Sequence, residues 1–185
     1  WTVEHGPRGG DELNLIRSGT NYGWPLETYG TDYNGVQIPT AISLGEHDEF
    51  PKPVLSWLPS VAPSSLMTIK GFHPTWDGDL LVGTLRGQML IRLRTDRERV
   101  VFAEEIPLGR RIRDLVQPSE DRIVVWTDSQ EVIFMRALAG GHGEQFIDRQ
   151  IAELDIDDTL RAHLRETVAE CSECHSFSRG EHRIG

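Results

Sequence analysis

No apolar run in these 185 residues approaches the roughly 20 that a membrane-spanning helix needs, and no secretory leader is visible at the start. Positive charge is short as well: 19 Lys and Arg stand against 29 Asp and Glu, a formal net charge of −10. Nucleic-acid backbones and anionic membrane surfaces are therefore disfavoured as partners, because both are repelled, while neutral ligands are not. Between about Val54 and Leu138 no long helical period is found. Cysteine is nearly absent, with two residues in the whole chain, and both sit in its last fifteen positions.

What is present is concentrated at the beginning. Glu4-His5-Gly6-Pro7-Arg8-Gly9-Gly10-Asp11-Glu12-Leu13-Asn14 runs into Asn21-Tyr22-Gly23-Trp24-Pro25 across a short spacer. Three glycines and a proline within seven positions exclude a regular helix or central strand, so the backbone carbonyls there need other partners. Beside them, Asp11 and Glu12 supply the oxygen chemistry a hard cation such as calcium prefers; a solvated Gly/Asp-rich turn is the alternative. Short β-rich runs follow. Asp79 to Leu93 reads as a hairpin turning near Arg86-Gly87, and Asp121 to Leu138 as another turning near Ser129-Gln130. Leu81-Val82 and Ile123-Val124 lie about 42 residues apart, within the roughly 40 to 50 of propeller blades.

Beyond Gly140-Gly141 the character changes. Charge dominates from Glu144, and Leu160, Leu164, Val168, Cys171 and His175 recur at helical spacing, with Asp157-Asp158-Thr159 as a helix start. Cys171, Cys174 and His175 form C-x-x-C-H, the attachment sequence of c-type haem, with two thioethers and a histidine ligand to iron. Such haem is attached outside the cytoplasm, which implies a periplasmic or secreted bacterial protein. Two other readings stay open. One is an amphipathic helix with an incidental cysteine pair; the other is a partial zinc site, for which only His182 is near enough to add a ligand.

The opening run resembles the signature of the PQQ-dependent soluble glucose and aldose sugar dehydrogenases, the glucose/sorbosone dehydrogenase family. Trp57-Leu58-Pro59-Ser60-Val61-Ala62-Pro63-Ser64-Ser65, then Leu80 to Gly87, then Arg111-Ile112-Arg113-Asp114-Leu115 resemble family segments in family order. The resemblance implies an all-β fold: part of a six-bladed β-propeller over residues 1–141, followed by a linker and the first helix of a cytochrome c domain over 142–185. It also implies that the chain, which starts at Trp1 inside a motif, is a fragment. The implied activity is oxidation of an aldose to its lactone with PQQ and calcium, electrons passing through haem c to a cytochrome or the quinone pool.

Residue by residue, the resemblance makes Gly6 and Pro7 main-chain ligands of the cofactor's calcium, with His5 beside them. Glu12 and the carbonyl of Tyr22 would hold a second, structural calcium. Ser60 stands where a relative has threonine donating to PQQ, and Arg86 where relatives have lysine. Arg111 and Arg113, two apart in an extended segment, share a face and suit the PQQ carboxylates. Alternatives remain at each: a structural histidine bonded to a turn carbonyl for His5, a helix cap for Glu12, an exposed basic edge for the arginines. Trp24, Trp57, Trp76 and Trp126 are read as core in preference to a sugar site. The family's base histidine and an Arg-Asn pair are expected upstream of Trp1. A calcium-stabilised extracellular propeller that binds without catalysing is the alternative function.

Overall fold

The computed structural model describes residues 1–42, 45–137, 151–152 and 156–172. The chain divides into two compact units, Trp1–Arg136 and Ala137–Gly185. Among the described residues the first unit is all β, as expected, in three antiparallel sheets. β1 (Thr2–Glu4), β2 (Asp11–Asn14) and β3 (Leu55–Trp57) form the first. β4 (Pro63–Thr68), β5 (Leu80–Thr84), β6 (Met89–Asp96) and β7 (Arg99–Pro107) form the second, in chain order. β8 (Ile112–Ser119), β9 (Arg122–Thr127) and β10 (Val132–Arg136) form the third, again in chain order.

Both expected hairpins are present, β5–β6 and β9–β10. The Thr84 hydroxyl closes the first by donating to the Met89 carbonyl at 2.7 Å. Every residue of β5 is buried, because neighbouring sheets cover both of its faces. Leu80 and Val82 join Leu13, Val61, Ile91 and Leu93 in the main core, against which Trp1, Val3, Leu55, Trp57 and Leu66 pack. Gly83 is required where the third sheet closes in: a Cβ there would lie 2.6 Å from the Ile112 side chain. The Ser64 hydroxyl ties the same junction, reaching the carbonyls of Ile112 at 2.6 Å and Gly83 at 3.1 Å.

The tryptophans do not all fall in the core. Trp76 is buried and Trp57 packs on the core, but Trp24 and Trp126 are each 53% exposed. Strand alternation is the reason for Trp126: Val125 and Thr127 turn inward, so the residue between them turns out.

In the second unit α1 (Asp158–Ser172) starts where the sequence indicates. Asp157 Oδ1 accepts the amides of Thr159 and Leu160, both at 2.9 Å, which satisfies donors that a helix N-terminus otherwise leaves unpaired. Cys171 lies in the last turn of α1, whereas Cys174 and His175 are outside the described residues. No described helix is long and apolar enough to cross a membrane.

Candidate functional site

The pairings Glu4↔Glu12, Asp11↔Trp57, Pro63↔Thr84 and Ile112↔Thr127 put the start of β2, β4 and β8 beside the end of β1, β3, β5 and β9 within each sheet. Bonds of Ser60 to Asp11, His5 to Pro63 and Ser64 to Ile112 bring those ends together. The loops at this end carry the glycine-rich run and the predicted cofactor residues. Asp11, with no exposed surface, is their tie-point. Its Oδ1 accepts the Gly6 amide at 2.8 Å. Its Oδ2 accepts the Ser60 hydroxyl at 2.6 Å and the amides of Val61 and Ala62 at 2.7 and 2.6 Å. Asp11 therefore differs from the open cation oxygen that composition suggests: four donors already surround it. Gly6 has no room for a side chain, since a Cβ would stand 2.0 Å from the Gly9 carbonyl oxygen.

The same network gathers the other residues. His5 Nε2 is 2.6 Å from the carbonyl oxygen of Pro63, the first residue of β4, so its ring is held by a backbone carbonyl. The amides of Arg86 and Gly87 donate to the Val61 carbonyl, which sets the β5–β6 turn beside the Ser60 loop. Ala62 is held at a φ of 53°, a left-handed conformation costly for alanine, and it directs its amide onto Asp11. Ser64 links this loop to Ile112, which lies between Arg111 and Arg113. His5, Gly6, Pro7, Ser60, Arg86, Arg111 and Arg113 are thus brought to one end.

Arg111 and Arg113 do share a face. Arg111 Nε donates to Asp128 Oδ2 at 2.8 Å, and Arg113 Nε donates to Asp128 Oδ1. Hydrogen bonds from Arg113 and then Arg111 hold the Asp128 carboxyl below its ordinary range. Both guanidiniums are half exposed, and each has donors beyond the Nε that Asp128 takes. No sequence signal marks Asp128 as their partner, because only the β8–β9 register carries it there.

Glu12 and Tyr22 face a small cleft also lined by Glu4, His5, Gly10, Trp24, Glu27 and Thr28. Glu4 and Glu12 stand directly opposite across β1–β2, and the Asn14 side-chain amide donates to both at 3.1 Å. Burial raises the Glu12 pKa above its ordinary value, against the lowering effect of Asn14 and His47. The Tyr22 hydroxyl accepts the Arg17 amide and donates to the Leu15 carbonyl, both at 2.8 Å, fixing the loop that presents its backbone. Among the described residues no three carboxylate or imidazole groups converge closely enough to hold a metal alone. Carbonyls or water would have to complete any shell here.

These loops lie in a matched region. A family model described as glucose/sorbosone dehydrogenase covers residues 1–136. The chain belongs to the glucose/sorbosone dehydrogenase family. Among curated members, an uncharacterized protein of Synechocystis, slr1608, is 38% identical over 138 residues, 74% of this chain and 33% of that protein. Aldose sugar dehydrogenase YliI of Escherichia coli is 37% identical over 134 residues, 69% of this chain and 35% of that protein. A crystal structure of a glucose dehydrogenase superposes with a TM-score of 0.67 at 36% identity, over 75% of this chain and 40% of that one. The chain therefore spans about a third of the length of the curated relatives it matches. The glucose/sorbosone dehydrogenase match ends at Arg136, where the first compact unit also ends.

Proposed function

We propose that this chain supplies part of the cofactor end of a PQQ- and calcium-dependent dehydrogenase that oxidises aldoses to lactones. In this reading the first unit contributes about half of a six-bladed propeller. Residues 142–185 begin a cytochrome c domain whose haem c is attached at Cys171 and Cys174, with His175 on the iron. The protein acts outside the cytoplasm and hands electrons to a cytochrome or the quinone pool. The observation that carries the reading is the convergence of the Gly6 loop, the Ser60 loop, the Arg86 turn and the Arg111–Arg113 pair at one end of three sheets, within a family whose members include an aldose sugar dehydrogenase.

The residues fit the cofactor's chemistry. PQQ carries three carboxylates, and Arg86, Arg111 and Arg113 are among the exposed cations at this end. When bound, the quinone accepts hydride from the sugar and the calcium polarises it as a Lewis acid. The chain's own part is to bind and orient. Gly6 and Pro7 would hold calcium through main-chain carbonyls, and Asp11 keeps Gly6 in place through its amide. Arg111 and Arg113, preset side by side by Asp128, would take cofactor carboxylates with their remaining donors. Ser60 spends its hydroxyl proton on Asp11, so toward a cofactor it would act as an acceptor or through its backbone. Glu12 and the Tyr22 carbonyl would hold the structural calcium.

Calcium-dependent PQQ binding to the full chain, followed by quenching of tryptophan fluorescence, tests the reading. Replacing Arg111 and Arg113 together with alanine should weaken binding by roughly 10- to 100-fold for each charge-assisted bond lost. Unchanged affinity in that variant, or no binding by the unaltered protein, would sink it.

A further inference from the structure

His47 is the least expected polar residue of the molecule. It lies in the long excursion between β2 and β3, yet it is 1% exposed. Its ring sits beside Tyr29, with centroids 5.6 Å apart. Nδ1 is 3.3 Å from Glu27 Oε2, and Nε2 is 3.9 Å from Glu12 Oε1 with no hydrogen-bond partner of its own. Glu27 is equally deep, at 2% exposed, and accepts three successive amides, those of Asp48 at 3.1 Å, Glu49 at 2.8 Å and Phe50 at 3.1 Å. A single chain of contacts therefore runs from the Glu12 cleft through the imidazole to the backbone of residues 48–50. The cleft itself gathers the carboxylates of Glu4, Glu12 and Glu27. Asn14 Oδ1 and Ser56 Oγ, next to Glu12 along and across the sheet, are also buried without partners. Buried polar atoms without partners, with carboxylates beside them, are the surroundings in which a cation coordinated partly by backbone oxygens is stabilised.

We infer that His47 and Glu27 are the positioning pair of the Glu12 cation site, and that they couple its occupancy to the order of residues 48–50. The inference rests on the reading of Glu12 as a calcium ligand. A bound cation draws Glu12 into one orientation and relieves its repulsion with Glu4; His47 fixes that orientation from the buried side. Because Glu27 binds three amides of the excursion, whatever steadies Glu27 also steadies that backbone. The excursion is thereby fastened from within, by a carboxylate–imidazole–carboxylate chain, and from without, by the bridge between Arg8 and Thr31. Partners behind metal ligands typically change metal affinity by roughly 10- to 100-fold when lost.

Terbium is a suitable probe, since Tyr22 and Trp24 line the cleft and sensitise its luminescence. On the full chain, terbium should give a signal that calcium displaces and that Glu12→Gln abolishes. His47→Leu should weaken terbium binding by roughly 10- to 100-fold, with His47→Gln restoring part of the loss. In the unaltered protein, calcium should slow hydrogen exchange at the amides of Asp48, Glu49 and Phe50. That measurement decides the matter if the leucine variant does not fold. Binding that Glu12→Gln abolishes, but that neither His47 variant changes and that leaves those amides unaffected, overturns the inference and leaves the calcium reading standing. No signal at this cleft in the unaltered protein removes the calcium reading and the inference together.

Discussion

Asp11 shows how one buried side chain can hold a functional loop. Four donors from two separate loops end on its carboxylate. Replacing it with asparagine keeps the shape but turns an acceptor into a donor facing donors. A loss of roughly 2–4 kcal/mol is expected, to be read from the denaturant midpoint; a change below about 1 kcal/mol would be the size of one ordinary hydrogen bond and would show that the hub is not needed. Glu27 offers a pH test at the same scale. Burial alone would raise its pKa, but the amides of Glu49, Phe50 and Asp48, with His47 alongside, hold it below the ordinary 4.5. Its folded pKa is thus lower than its unfolded one, so its contribution is complete above 4.5 and is lost as pH falls through the folded value. In calcium-free buffer, with Glu12 and Glu4 present in both proteins, Glu27→Gln should be less stable at neutral pH and should lose less on acidification. Parallel stability curves would contradict this.

At the scale of elements, the second sheet carries an internal charge cluster that ties β6 to β7 and to the residues leading into β5. Arg92, on β6, is 2% exposed and lies between the rings of Trp76 and Phe102, at 4.7 and 5.0 Å. Its Nε is 3.4 Å from Asp79 and 3.1 Å from Glu104, which β7 contributes. Removing one member of such a set leaves the others buried without compensation, so Arg92→Ala should cost roughly 3–5 kcal/mol. A midpoint within about 1 kcal/mol of the unaltered protein, the size expected of a surface pair, would mean the cluster is not cohesive. The hairpins and the start of α1 could be read from the sequence because their signals are local: alternation on either side of Arg86-Gly87 and Ser129-Gln130, and an aspartate ahead of Thr159. Asp128, Glu27 and His47 could not. Asp128 meets the arginines only through strand register, and the other two lie in a long excursion with no period to follow. The exposure of Trp24, in a turn, and of Trp126, on β9, was equally hidden, since hydrophobicity says that an aromatic side chain tends inward but not which turn or strand face is covered.

For the molecule as a whole, the glucose/sorbosone dehydrogenase motifs were legible as ordered blocks, and the fold explains why they are spaced as they are. The blocks gather at the same end of the three sheets: the Gly6 loop at the first, the Ser60 loop and Arg86 turn at the second, and Arg111 with Arg113, at the start of β8, on the third. Beyond Arg136 the sequence carries C-x-x-C-H, and in the proposed reading haem attached there receives electrons from the first unit. Tethering would make that transfer intramolecular, at an effective concentration of order millimolar for a short linker. The direct test is the absorption spectrum of the complete protein, produced with haem maturation, before and after PQQ, calcium and an aldose are added. Reduced c-haem bands that grow only when all three are present are the predicted result. Haem that stays oxidised with every aldose, in a protein that also fails to bind PQQ, would contradict the account.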